Sequence, residues 1–299
     1  MLQRFDERNR DLQVWVGDRL FPRAEARVSV FDSSVQGGDA VWEGLRVYEA
    51  GVLHLDRHLR RLFDSAHGLA FAGVPDEASV RRALAQTLAA NGMANVGGAH
   101  VRLTLTRGEK ITSGMDPRLN QAGCTLIVLA EWKPPVYDNA GGIAVVTSAI
   151  RRNAPGFLDS KLHHNNLLNN IQAKLQANAA GADAALMLDE RGFAAELHGT
   201  NVFCARDGAL ATPRATACLP GVTRGWVLEL AAELGIPARE ADLSLTELYA
   251  ADEVFCTGTM GELTPIRALD GRQIRGGGDV LARLRAAFER RIASACEWP

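Results

Sequence analysis

Lys161, in Asp159-Ser160-Lys161, carries a primary amine, and Glu196, in Glu196-Leu197-His198-Gly199-Thr200-Asn201-Val202-Phe203, carries a carboxylate. Two turns follow: Leu219-Pro220-Gly221-Val222-Thr223-Arg224 and Thr257-Gly258-Thr259-Met260-Gly261-Glu262-Leu263-Thr264-Pro265-Ile266. An amine freed of its proton by desolvation or neighbouring positive charge forms Schiff bases and moves protons. A carboxylate beside a pyridine nitrogen keeps that nitrogen protonated, so the ring accepts carbanion charge. Amides at a helix N-terminus, helped by a threonine hydroxyl, take a phosphate. A Thr-Gly-Thr turn after a strand forms a nest for a phosphate or a carboxylate. Alone, each piece has an ordinary reading: a solvated lysine, a turn glutamate, a Pro-Gly turn before a helix, a tight turn with local threonine bonds. In this order along one chain they are the parts needed to hold pyridoxal 5′-phosphate (PLP).

Those parts need elements to position them. Asp159-Ser160 can cap a helix running to about 179, with Leu167, Leu168, Ile171 and Leu175 on its apolar face. Lys161 then stands at a helix N-terminus, where the dipole disfavours a protonated amine. Short strands are expected at 184–189, 193–197, 200–206 and 209–212, and a helix from Val222 that stops at Gly235. A strand at 253–257 leads into the Thr257 turn, and a last helix spans about 278–295. Earlier in the chain, 26–31 and 40–48 read as strands, Asp56 as the cap of a helix to about 71, and 76–91 as a second helix. Strands near 99–106 and 124–130 complete this half. Lys133-Pro134-Pro135-Val136-Tyr137 breaks the pattern, giving a domain 1–132, a linker 133–137 and a larger domain 138–299. The fold class is α+β, without strict β-α-β alternation, and no GxGxxG follows a strand.

With 299 residues and 47% hydrophobic content, the chain can build one large core or two ordinary ones. A net charge of −2 gives no reason to expect nucleic acid or a membrane as partner. The charged start Met1-Leu2-Gln3-Arg4 has no apolar leader core, and the five scattered cysteines have no CxxC spacing, so a reduced cytoplasmic protein is expected. His163-His164 would be poor chelators, since adjacent helical residues point about 100° apart. No metal is expected.

Together with Gly38-Asp39-Ala40-Val41-Trp42-Glu43-Gly44-Leu45-Arg46-Val47-Tyr48 and His58-Leu59-Arg60-Arg61-Leu62-Phe63-Asp64-Ser65-Ala66, these pieces resemble the class IV (fold-type IV) PLP-dependent aminotransferases, most closely the branched-chain-aminotransferase-like members. The resemblance implies a small N-terminal α/β domain, a larger barrel-like C-terminal domain, PLP in the cleft between them and a homodimer. It implies that Lys161 is the Schiff-base lysine and that Glu196 faces the ring nitrogen. Arg61, the amides of Val222 and Thr223, and Thr259 hold the phosphate. For the substrate it implies Arg102, the backbone of Thr259 and Met260, and Trp42 at a pocket position; Arg46 shares the Trp42 strand face by period 2, a face that lines the site or is partly solvated. The activity implied is transfer of an amino group from a branched-chain or other hydrophobic L-amino acid to a 2-oxo acid such as 2-oxoglutarate.

The chain departs from that family at three tyrosine positions, which hold Asn166, Gly37 and His100. Thr106-Arg107-Gly108 resembles the D-amino-acid aminotransferases, where this arginine traps the substrate carboxylate, and so leaves that stereochemistry open. A 4-amino-4-deoxychorismate lyase is a further alternative on the same fold. The Gly/Pro-containing segment 108–117 reads either as a mobile lid or as a fixed turn.

Overall fold

The computed structural model describes residues 3–299. They form two compact units, one of 3–134, 162–166 and 292–299, the other of 135–161 and 167–291. The first crossing between them lies between Pro134 and Pro135. The segments 162–166 and 292–299, expected in the second domain, belong instead to the first unit.

The first unit is built on strands β1 (Gln13–Val16), β2 (Arg19–Pro22), β3 (Ala40–Tyr48), β4 (Gly51–Leu53), β5 (Ala99–Thr106) and β6 (Thr125–Trp132). With a terminal strand Cys296–Glu297 beside β4, the order is Cys296–Glu297, β4, β3, β5, β6, β1, β2. Neighbours pair antiparallel, and β3 and β5 are in register from Ala40↔Thr106 to Val47↔Ala99. Successive side chains of a strand point to opposite faces. Val41, Leu45 and Val47 therefore enter the core, where they meet helices α2 (Leu55–Gly68) and α3 (Glu77–Ala90) through Leu59, Leu62, Leu84 and Leu88. Each fully buried leucine contributes about 1.5–3 kcal/mol. The odd phase also carries Glu43 inward. The even phase leaves Trp42 and Arg46 on the opposite face, beside Thr104 and His100.

Two local expectations change here. Residues 26–31 form no strand: Asp32 caps the short helix α1 (Ser33–Gly37) by accepting from Ser34 N, and Val30 and Phe31 are exposed. Asp56 is not the cap of α2. Its cap position is His54, held left-handed at φ 50°, and Asp56 sits in the first turn. Asp76 does cap α3, accepting from Ser79 N.

The second unit has strands β7 (Ile143–Thr147), β8 (Ala184–Leu188), β9 (Ala194–Leu197), β10 (Asn201–Arg206), β11 (Ala209–Pro213), β12 (Ala238–Ala241), β13 (Glu253–Gly258) and β14 (Glu262–Leu269). Their order is β12, β11, β10, β13, β14, β7, β8, β9, with Arg272–Gln273 added beside β14. β9, at the end of that order, lies against β10 and β11, so the sheet curls on itself. Parallel pairs (β7 with β8 and β14, β11 with β12) mix with antiparallel ones, giving the α+β class. The core inside the curl is aliphatic: Ile143, Val145, Leu186, Leu197, Val202, Val254 and Ile266.

Its helices are α4 (Leu168–Ala179), α5 (Val222–Glu233), α6 (Leu245–Tyr249) and α7 (Val280–Arg291). Gly235, at φ 65°, ends α5 as expected: Ile236 N donates back to Ala231 O. α4 differs from expectation twice. It begins at Leu168, not near Asp159, and it buries Asn170, Ala173 and Ala177 against β8 while Leu168, Ile171 and Leu175 are exposed. Alanines, not leucines, are what α4 packs against the sheet, with Ala173 and Ala177 beside Ala185 and Met187. No helix among the described residues is long and apolar enough to cross a membrane.

Candidate active site

The second unit gathers three of the sequence motifs around one side chain, Asn201, the first residue of β10. Glu196 lies on β9 and is buried. Its Oε1 accepts from Arg152 Nε at 2.6 Å, and its Oε2 accepts from Asn201 Nδ2 at 3.1 Å and from Leu219 N at 3.3 Å. Asn201 Nδ2 also donates to Leu219 O at 2.9 Å. Across the ladder Asn201 pairs with Thr257, which opens the second turn. One amide thus ties the carboxylate to the turn before α5 and stands opposite the β13–β14 hairpin. A buried carboxylate requires such partners. The nearby Cys218 thiol is pushed up to about 12, by burial first and by Glu196 next.

The turn at 219–223 delivers the start of α5. Gly221 is its cap residue, and no side chain among the described residues caps it. The first-turn amides of a helix have no partner within the helix and attract anions. Val222 and Thr223 occupy that first turn. In the hairpin, Gly258 pairs with Glu262, so Thr259, Met260 and Gly261 form the loop, and Thr259 and Met260 are half-buried. Thr257 Oγ1 and Arg152 Nη1 are buried donors without a partner among the described residues. An open helix N-terminus and orphaned donors beside a buried carboxylate are a donor set that fits a phosphorylated pyridine.

Lys161 is not at a helix N-terminus, because α4 begins seven residues later, at Leu168. It lies in a loop with its side chain 45% exposed and its Nζ 3.5 Å from Asp159 Oδ2. The helix-dipole argument therefore does not apply to it. What fixes the loop is the fully buried Ser160, whose hydroxyl donates to Asn153 O at 2.6 Å. Asn153 follows Arg152, the partner of Glu196. The segment 152–153 thus holds both the loop of Lys161 and the carboxylate.

In the first unit, Arg61 Nε and Nη2 donate to the two oxygens of Glu43 at 2.8 and 2.7 Å. Glu43 Oε2 also meets His58 Nδ1 at 2.7 Å, and its Oε1 meets His163 Nδ1 at 3.2 Å. Burial alone would raise the Glu43 pKa, but the Arg61 charge and the hydrogen bonds from Arg61 and His163 outweigh it and hold the group well below the usual carboxylate range. His163 itself is pushed down to about 4, chiefly by burial.

Trp42 packs against His163 with ring centroids 4.2 Å apart and planes tilted by 36°, and the Arg102 guanidinium lies 3.9 Å from the Trp42 ring centre. Arg102 Nη2 donates to Asn165 Oδ1 at 2.7 Å. Arg46 Nη1 donates to Lys133 O at 2.8 Å. His100, between these cations, is pushed down to about 3 by burial and by Lys133, Arg46 and Arg102. Arg107, the alternative candidate for the substrate carboxylate, has protein partners in this structure. It grips Asp39 through Nε and Nη2, donates to Leu69 O and Ala70 O, and lies over Phe71.

Sequence reasoning missed Arg152, Asn201 and Glu43 as site residues. Asn201 and Glu43 lie inside motifs that drew notice for other residues. Arg152, in Arg151-Arg152, carries no signal beyond its charge.

A model of the family Amino-transferase class IV matches residues 40–269. The chain is 54% identical over 284 residues to branched-chain-amino-acid aminotransferase-like protein 2 of Arabidopsis thaliana, covering 94% of this chain and 50% of that protein. It thus spans about half the length of that relative. It is 36% identical to a putative branched-chain-amino-acid aminotransferase of Methanocaldococcus jannaschii, covering 93% of this chain and 96% of the other. Among solved structures, the T.th. branched-chain amino acid aminotransferase complexed with N-(5′-phosphopyridoxyl)-L-glutamate superposes with a TM-score of 0.87 at 31% identity, covering 95% of each chain. The branched-chain aminotransferase of Thermoproteus uzoniensis with norvaline gives 0.85 at 30% identity, again over 95% of each.

Proposed function

Because the chain belongs to the class IV aminotransferases, we propose that it catalyses PLP-dependent transfer of an amino group from a hydrophobic L-amino acid, branched-chain ones first, to a 2-oxo acid such as 2-oxoglutarate. The observation that carries this is the convergence of Glu196, the α5 N-terminus and the β13–β14 hairpin on Asn201. When bound, PLP supplies an electron sink in conjugation with the substrate Cα. Lys161 Nζ takes the proton from that Cα as general base. Glu196 would serve the ring nitrogen, held in place by Arg152 and Asn201. The amides of Val222 and Thr223, with Thr259 and the Arg61 guanidinium, are the groups that would hold the phosphate. Trp42, Arg46, Arg102 and Met260 are assigned to the substrate.

The L-specific reading is supported by Arg107, whose donors are spent on Asp39 and two carbonyls. Homodimeric assembly is part of the proposal, and the exposed Leu168, Ile171 and Leu175 offer it an apolar stripe. The test is a half-reaction: protein loaded with PLP receives L-leucine or D-alanine without an acceptor while cofactor absorbance is followed. Conversion by L-leucine alone is expected. Conversion by D-alanine alone would reverse the stereochemistry, and inertness to both would sink transamination. Lys161→Ala should lose at least about a hundredfold in turnover.

A further inference from the structure

We propose, on the PLP reading above, that Asn201 is a positioning residue that locks the Glu196 carboxylate to the phosphate-binding turn, and that position 221 is glycine because Asn201 occupies the space of its side chain. The amide faces both ends of the donor set. Its Nδ2 bridges Glu196 Oε2 and Leu219 O, at 3.1 and 2.9 Å. Its Oδ1 lies 2.1 Å from where a Cβ on Gly221 would stand. Gly221 has φ −62° and ψ 140°, an extended conformation open to any residue, so backbone freedom does not require glycine here. The other neighbours of that Cβ, Asn201 Cγ and Arg224 Cβ, stand at 3.3 and 3.4 Å, and the second of these is ordinary contact. The obstacle is the Asn201 amide.

This arrangement makes the two positions interdependent. An alanine at 221 must push the Asn201 oxygen aside. The nitrogen of the same planar amide then leaves Glu196 and Leu219 together. The carboxylate keeps its bonds to Arg152 and the Leu219 amide, and the α5 turn is tied to it through that 3.3 Å bond without the Asn201 bridge. Ring-nitrogen partner and phosphate cup are disturbed by one methyl group that touches neither.

The test is a double-mutant cycle on the PLP dissociation constant of the holoenzyme, by equilibrium dialysis, for wild type, Asn201→Ala, Gly221→Ala and the double variant. Each single variant is expected to weaken PLP at least tenfold. The double variant should be no weaker than Asn201→Ala, because the clash is gone once the amide is absent. The absorbance maximum of bound PLP should shift alike in both singles. Asn201→Asp, of the same shape, keeps the question answerable if the alanine variant fails to fold: it sets an acceptor against Glu196 and should also lose at least tenfold. Wild-type affinity in Gly221→Ala or Asn201→Asp, or multiplying losses in the double variant, would overturn the proposal. A wild-type protein that takes up no PLP would instead overturn the cofactor reading, and is told apart by the first arm alone.

Discussion

Arg107 shows why a residue's type is weaker information than its hydrogen bonds. Its placement after Thr106 fits a carboxylate trap, yet Asp39, Leu69 O and Ala70 O hold four of its donor directions and Phe71 covers its face. Arg107→Ala should therefore cost stability, about 1–3 kcal/mol in denaturant unfolding. The KM for amino acids should stay within about twofold of wild type. A large rise in KM with unchanged stability would restore the trap. Glu43 gives the opposite case. Its burial among core aliphatics looks structural, but both oxygens serve Arg61. Glu43→Gln removes one charge of a buried pair and should destabilise by about 3–5 kcal/mol. PLP affinity should fall with it, as the Arg61 guanidinium loses its fixed orientation. Unfolding and dialysis measurements on the same variant check both effects.

Among the elements, those whose cores are decided by side-chain period were legible. β3, β5, α2 and α3 alternate or repeat as their burial requires, and α5 ends where Gly235 supplies a left-handed residue. α4 was legible in existence but not in start or face. Its apolar residues Leu168, Ile171 and Leu175 suggested a buried stripe, and periodicity cannot say whether such a stripe faces its own core or something else. The face that meets β8 decided it: Asn170, Ala173 and Ala177 are the residues buried there. Ile171→Lys should therefore leave monomer stability within about 0.5 kcal/mol. Ala173→Leu should cost about 1–3 kcal/mol by overpacking. A destabilising Ile171→Lys beside a silent Ala173→Leu would reverse the assignment of faces. The site divides the same way. The Glu196, Leu219–Thr223 and Thr257 motifs were readable because chemistry restricts their residue types. Their meeting on Asn201 depends on β9, β10 and β13 lying together, a non-local fact. The segment 108–111 is similarly a matter of pairing: Lys110 N donates to Phe31 O and Ile111 N to Leu119 O, which fixes the base of the segment read either as a lid or as a fixed turn.

At the scale of the whole molecule, both units hold histidines that must stay neutral, and this sets the response to acid. His100 is pushed down to about 3 by burial and by Lys133, Arg46 and Arg102. His163 is pushed to about 4, by burial first, with Glu43 pulling the other way and Arg61 and His58 adding to the fall. His198 is pushed to about 4 by burial and Lys174, and its Nδ1 accepts from Ala185 N, a bond that protonation would break. An ordinary histidine titrates near 6.5, so between that value and the folded value the unfolded chain binds more protons. Stability is then complete above about pH 6.5 and falls as pH drops below it. Each such histidine costs up to about 2 kcal/mol at pH 5. Glu43 has the same sign in a lower window: its depressed pKa contributes stability above the usual carboxylate value and loses it only as pH falls toward the folded one. Thermal unfolding should accordingly show a midpoint that drops steadily from pH 7 to pH 5, before the carboxylates titrate. His100→Gln, which has no proton to take up in that range, should flatten part of the slope. A midpoint constant from pH 7 to pH 5 would mean that these rings keep their protons in the folded state. The cationic face of Arg46, Arg102 and Lys133 would then have to accommodate a fourth positive charge.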